Sequence, residues 1–199
     1  MLQHSIDKID NSNSNAPKIA LLTQDIFEVL IKSLIIIIIV LTFCIRMCTV
    51  VGDSMNNTLQ NGDRLIIFNL FYTPKENDII VFHDTDTLNE PVVKRVIATG
   101  NKWVKIDYDN ALLYVSSDSV FDENDIVNES SYIYLDSGSY DSQGTYETYV
   151  PDGFLFVMGD NRNNSTDSRS SRIGLVEEKA ILGKAIFRLS PLKSFGIVK

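Results

Sequence analysis

The sequence predicts a mostly β domain preceded by one N-terminal apolar helix. Three observations carry this reading. Residues 26–47 form an almost unbroken apolar run whose centre, Leu34–Leu41, is aliphatic throughout. Beyond Thr49 the chain changes to short runs rich in Val, Ile and Phe, each bounded by Gly, Pro, Asn or Asp, which is strand and turn chemistry. The length of 199 residues leaves enough chain after the apolar run to enclose one substantial core.

In chain order, residues 1–18 are polar, with Asn11-Ser12-Asn13-Ser14-Asn15, and are expected to be unstructured, within a cytoplasmic tail of residues 1–25. Residues 26–47 are read as a transmembrane helix. Only Ser33–Ile45 is free of charge, and a full span needs about 20 residues. Lys32 and Arg46 flank that stretch, and their long stems let the charges reach the two interfaces. Eight consecutive aliphatic residues leave no polar face for water, which argues against the alternative of a buried helix in a soluble domain. Cys44–Val51 offers no small-x-small cleavage site, so the segment is expected to stay attached. Cys44 and Cys48, four residues apart, are expected to pack or to face lipid; two such cysteines build neither a disulfide framework nor a zinc site.

Residues 48–199 are expected to be an extracytoplasmic β domain. Strands are predicted over Arg64–Phe68, Asp78–Phe82, Pro91–Ile97, Trp103–Ile106 and Gly153–Met158, and Glu177–Ile186 as a strand or a short helix. Residues 101–150 have weaker runs and longer loops, as in a cap inserted into the main sheet. Between Ile106 and Val150 there are ten Asp or Glu and no Lys or Arg, expected to be a solvated surface. That block has no calcium-loop spacing, so no metal is expected. A net charge of −8 argues against nucleic acid as a partner.

Two residues just beyond the apolar run stand out chemically. Ser54 follows Gly52-Asp53, where glycine permits the sharp turn that presents a hydroxyl. Lys94 sits within Val92-Val93-Lys94-Arg95-Val96-Ile97; burial disfavours its ammonium, and a neutral amine beside a serine hydroxyl is a general base. Alternation sends Lys94 and Arg95 to opposite faces of the strand, so one of them must meet the apolar side or a groove. Downstream, Gly159–Arg169 is dense in turn formers and paired charges, with Asp160, Arg162, Asp167 and Arg169 able to fix a loop beside the strand that ends at Met158. A Ser-His-Asp triad would have to use His83, since the other histidine, His4, precedes the apolar run. No Walker loop, dinucleotide fingerprint or H-E-x-x-H motif occurs.

These strings, in this order after one apolar segment, resemble the bacterial type I signal peptidases, in particular the compact single-span Gram-positive branch. Ser54-Met55-Asn56-Asn57-Thr58-Leu59, Gly62-Asp63, Lys94-Arg95, Gly159-Asp160-Asn161-Arg162 with Asn164-Ser165 and Asp167-Ser168-Arg169, and the C-terminal Gly183-Lys184-Ala185 and Arg188-Leu189-Ser190-Pro191 carry the likeness. Asn57 stands where the family usually has proline. The resemblance implies a signal-peptidase-like β catalytic domain facing outward from the membrane, with the N-terminus cytoplasmic and no cofactor. It implies Ser54 as nucleophile and Lys94 as general base, with Ser165 orienting the lysine amine. Asp160 would pair with Arg95, and Asp167 with Arg169, as scaffold. The oxyanion would meet the backbone N–H of Ser54, and Met55 would line the pocket for the small residue before the cut. Substrates would be exported preproteins with small residues one and three positions before the scissile bond. Two rivals are a soluble self-cleaving repressor-type protease, opposed by the Ile-rich run and the acidic charge, and a specialised or degenerate relative serving pilin processing or assembly, opposed by the complete set Ser54, Lys94 and Ser165.

Overall fold

A computed structural model gives the fold. It describes residues 2–83 and 90–198, and side chains over 21–42, 45–83 and 90–198. The chain divides into two units, Met1–Cys44 and Ile45–Lys199.

The first unit is a helix, α1 (Leu2–Cys44). The polar residues expected to form an unstructured tail continue this helix, because elongation of an existing helix needs no new nucleus. Glu28 and Lys32 pair across one turn at 2.5 Å. The apolar side chains from Ile26 to Leu41 are exposed, among them Phe27 and Ile36. Among the described residues, no helix is long and apolar enough to cross a membrane. The helix also ends earlier than hydropathy predicts: Ile45, Arg46 and Met47 belong to a strand. Arg46 therefore lies on a strand beyond the helix end, and Cys48 does not share a helical face with Cys44. The apolar pattern runs on without a stop signal across this junction, while pairing with a neighbouring strand decides the backbone conformation.

The second unit is mostly β. Its strands are β1 (Ile45–Thr49), β2 (Arg64–Phe68), β3 (Ile79–His83), β4 (Pro91–Ala98), β5 (Lys102–Asp107), β6 (Leu112–Ser116), β7 (Thr145–Val150), β8 (Phe154–Met158), β9 (Val176–Glu177), β10 (Ile181–Ser190) and β11 (Gly196–Ile197). The larger sheet has the order β1-β2-β10-β3-β4-β8-β9, with β11 also paired to β10, and a second sheet has the order β6-β5-β7. All these named strand pairs are antiparallel. The smaller sheet is made from residues between β4 and β8, so the segment expected to be an inserted cap is a sheet. The stretch Glu177–Ile186 resolves mainly into β10, whose alternating burial marks a half-covered strand. Gly183 is needed in β10, since a Cβ there would lie 2.9 Å from the Phe68 carbonyl oxygen.

Three apolar clusters hold this unit together. One gathers Val50, Met55, Leu59, Leu65, Ile67, Val81 and Val93 under the start of the sheet. A second joins Ile97, Val104, Ile106, Leu113, Val150, Phe156 and Met158, fusing the inserted sheet to the main one. The third collects Ile80, Phe82, Val96, Leu155 and Val157. Cys48 packs against the first cluster, and burial pushes its thiol above the usual range.

Candidate active site

Ser54 lies in the turn between β1 and β2. Gly52 takes the left-handed conformation at φ 86°, which side chains disfavour, and its N–H donates to Asn61 Oδ1 at 3.1 Å. The turn is tied at its base, with Val50 N–H donating to the Asp63 carbonyl and Gly62 N–H to the Val50 carbonyl. Met55 and Leu59, each 1 % exposed, sink into the first apolar cluster and fix the turn from below. Ser54 itself stays half-buried at the surface this leaves.

Lys94 sits on β4 and is 4 % exposed. Its Nζ is hydrogen-bonded to Ser54 Oγ at 2.6 Å. Burial penalises the ammonium and lowers the Lys94 pKa to about 8; Asp167 and Asp160 oppose that shift, and Arg169 adds to it. Arg95, on the same strand, is also buried, although alternation turns the two side chains apart. The reason is that both faces are covered here. Arg95 meets Asp160 through two 2.8 Å hydrogen bonds, Nε to Oδ1 and Nη2 to Oδ2, and donates through Nη1 to the Asn77 carbonyl at 2.9 Å.

The loop after β8 closes the other side. Arg169 grips Asp167 through Nε and Nη2, both at 2.8 Å, and Gly159 N–H donates to Asp167 Oδ2 at 3.0 Å. Burial by itself would raise the Asp167 pKa, but Arg169 outweighs it and holds the carboxyl below the usual range. Asn161 clasps the serine turn, its N–H donating to the Ser54 carbonyl at 3.0 Å and its Nδ2 to the Asp53 carbonyl at 3.1 Å. Gly159 allows that approach: a Cβ at this position would lie 2.4 Å from the Ser54 carbonyl oxygen and 2.3 Å from Ser165 Oγ.

A cleft of about 450 Å³ opens over these groups and is lined by Ser54, Met55, Lys94, Ser165, Val50 and Val93. The structure thus brings Ser54, Lys94, Met55 and Ser165 together, with the Arg95–Asp160 and Asp167–Arg169 pairs beside them. One expected contact is missing. Among the described contacts no hydrogen bond joins Ser165 Oγ to the Lys94 amine; the hydroxyl instead lies beside Asp167, whose carboxyl it helps hold below the usual range. Close packing of Ser165 against Gly159 accounts for its placement. His83 lines a separate concavity with Phe82, Phe154 and Leu175. Among the described residues, no group of His, Cys, Asp or Glu could hold a metal ion.

Sequence reasoning missed several contributors. Glu129, expected to be solvated, is 7 % exposed and pairs with the fully buried Arg162. Arg162 also donates to Tyr140 Oη at 2.9 Å and to the Gly159 carbonyl at 3.1 Å. The Tyr132 ring lies 4.0 Å from the Arg95 guanidinium carbon. Thr58 Oγ1 donates to Asp160 Oδ2 at 2.5 Å. The only sequence signal for Glu129 was its match in charge to Arg162, and ten acids competed for that role.

The chain is similar to known proteins over most of its length. Residues 23–190 match the family described as signal peptidase, peptidase S26. A probable signal peptidase I-1 from Synechocystis sp. is 31 % identical over 194 residues, covering 92 % of this chain and 91 % of the relative. Signal peptidase IB of Staphylococcus aureus is 31 % identical over 180 residues, covering 81 % of this chain and 86 % of the relative. The crystal structure of a signal peptidase I from Enterococcus faecalis V583 is 26 % identical, covering 57 % of this chain and 97 % of that one, with a TM-score of 0.40. The family match spans most of the chain and the two relatives align over nearly their whole length, so the chain belongs to the signal peptidase family, peptidase S26, and is a serine peptidase of the signal peptidase I kind.

Proposed function

We propose that this protein is a membrane-anchored endopeptidase that removes signal peptides from exported preproteins by a Ser54/Lys94 dyad. The observation that carries this reading is the 2.6 Å contact between a buried lysine amine and a half-buried serine hydroxyl at the floor of an open cleft. The neutral Lys94 amine accepts the Ser54 proton as Oγ attacks the scissile carbonyl. The resulting ammonium then protonates the leaving amine, and the free amine activates water for deacylation. The oxyanion is met by the backbone N–H of Ser54; one such donor is typically worth about 2.7–4 kcal/mol in the transition state. Met55, at the wall of the cleft, favours a small residue immediately before the cut. Small residues at the first and third positions before it fit an extended peptide, whose alternate side chains share one face. Ser165 acts on Lys94 from the same cleft once substrate is bound. The two arginine–carboxylate pairs are scaffold.

The Ile-rich part of α1 serves as the anchor, with the N-terminus cytoplasmic and the β unit outside. Its support is the exposed run Leu34–Leu41, eight consecutive aliphatic residues with no polar face to offer water. The uncharged run is short, so Lys32 must reach the interface by its stem. An anchored enzyme meets preproteins whose own apolar segment lies in the same bilayer. The test is incubation of the full chain in detergent or vesicles with a preprotein carrying a small-x-small site, followed by mapping of the new N-terminus. Cleavage after the second small residue, lost in Ser54→Ala and in Lys94→Ala, is expected. Near-normal processing by Ser54→Ala would overturn the dyad.

A further inference from the structure

The inserted segment between β6 and β7 reaches back to the loop that clasps Ser54. Tyr134 N–H donates to the Asp160 carbonyl at 2.8 Å, and Arg162 N–H donates to the Tyr134 carbonyl at 3.1 Å. Tyr134 and Asn161 thereby form a parallel bridge. Asn161 is held on one side by Tyr134 and on the other holds the backbone of Asp53 and Ser54. Two further contacts from the same segment act on the same loop. Glu129 takes both terminal nitrogens of buried Arg162, at 2.7 Å through Nη1 and closer through Nη2. The Tyr132 ring covers the guanidinium of Arg95, whose other face of contacts is the bidentate grip on Asp160. Tyr132 Oη donates to Glu129 Oε1 at 3.3 Å, joining the two holds.

We propose that Glu129, Tyr132 and Tyr134 form a brace that positions the nucleophile, with Asn161 as the link from the brace to Ser54. This rests on the reading of Ser54 as nucleophile. The brace touches neither Ser54 nor Lys94 directly, so it acts through the backbone position of the serine turn. Three features favour positioning over simple cohesion. The contacts converge on residues 160–162, and Glu129, Tyr132 and Tyr134 lie outside the apolar cluster that joins the inserted sheet to the main one. Glu129 and Arg162 are buried charges, which persist in a fold only where they are paired. The Ser54 carbonyl also receives the Asn161 N–H at the one place where Gly159 lets the two loops approach. Loss of the ring at position 132 frees Arg95 and Asp160 to shift, and a nucleophile displaced by a fraction of an ångström attacks more slowly.

The experiment compares steady-state cleavage of a preprotein by the full-length protein and its variants. Tyr132→Leu is expected to lower kcat about tenfold with KM within about twofold, because the substrate cleft is untouched and only the alignment of Ser54 changes. Tyr132→Phe keeps the ring over Arg95 and is expected to retain most of the rate. The acid limb of the pH profile should not move in Tyr132→Leu, since Lys94 keeps its surroundings. Leu113→Ala is the control: it opens the apolar cluster to which Glu129, Tyr132 and Tyr134 do not belong, and it should lower the melting temperature while leaving kcat within about twofold. A Tyr132→Leu enzyme with normal kcat overturns the proposal. So does an equal loss of kcat in Leu113→Ala, which would assign the effect to general stability. Retained cleavage by Ser54→Ala is a separate result that would remove the nucleophile reading itself.

Discussion

Replacing Lys94 with methionine should abolish cleavage and yet make the protein more stable at neutral pH. The lysine pKa falls from an ordinary 10.5 to about 8, chiefly because burial disfavours the ammonium. At about 1.4 kcal/mol per unit, the folded state below pH 8 carries a penalty of about 3 kcal/mol. Between pH 8 and 10.5 the unfolded chain holds more protons at this site than the folded one, so stability rises with pH through that window. Above it both states carry the neutral amine and the penalty vanishes. Methionine fills similar space without a charge. It loses the hydrogen bond to Ser54, worth about 1 kcal/mol, so the net gain at pH 7 should be about 2 kcal/mol. For a chain of this size that is a rise in Tm of about 4–8 °C. Thermal unfolding of wild type and Lys94→Met at pH 7 and at pH 10.5 is the assay. The gap should be wide at pH 7 and narrow at 10.5. A variant less stable than wild type at pH 7, or a gap that does not change with pH, would refute the claim that a charged amine is unwelcome at this position.

Other consequences follow from contacts around the dyad. Gly159→Ala places a Cβ 2.4 Å from the Ser54 carbonyl oxygen, so the clasp must open; cleavage should fall by about a hundredfold or more, measured as kcat on a preprotein. Asp160→Ala removes the carboxylate that takes two hydrogen bonds from the buried Arg95 guanidinium and should cost about 3–5 kcal/mol in denaturant unfolding. His83→Ala should leave kcat unchanged, since His83 borders a different concavity; a dead His83→Ala enzyme would restore a histidine-based mechanism.

Much of this arrangement was legible before the fold was known, for specific reasons. β2, β3, β4 and β8 are buried runs of Val, Ile, Leu and Phe between turn residues, and burial of that kind writes itself into composition. β1 was hidden because its residues continue the apolar run of the helix, and β7, Thr145–Val150, because its exposed positions carry Thr and Glu. Ser54 and Lys94 were legible as a hydroxyl after a glycine and a charge inside an apolar run. The clasp by Asn161 was not, since it is largely a backbone contact and any residue type supplies an N–H. The Glu129–Arg162 pair was hidden for another reason: its members are 33 positions apart, and nothing local distinguishes Glu129 from its acidic neighbours. Ser165 shows the reverse case, where a residue expected from its motif reaches the cleft without the bond expected of it.

The reactivity of Lys94 depends on a near-balance of charge that the loop after β8 supplies. Asp160 and Asp167 both favour the ammonium, and each is neutralised by a bidentate arginine, Arg95 and Arg169. With the carboxylates answered, desolvation decides, and the amine is held near pH 8. Without the Arg169 guanidinium, Asp167 would keep the backbone N–H groups of Gly159 and residue 169 but lose its charged partner, and would pull harder on the lysine. Arg169→Met should therefore raise the Lys94 pKa by on the order of one unit and move the acid limb of kcat/KM to higher pH by the same amount. Arg169→Lys keeps the charge while losing the planar two-point grip, and should move the limb less. The profile is read at saturating alkaline pH as well, where a loss of fold would lower the plateau without moving the limb. If the limb stays in place in Arg169→Met, Asp167 takes up a proton when unpaired, and arginine pairing is not what leaves burial in control of Lys94.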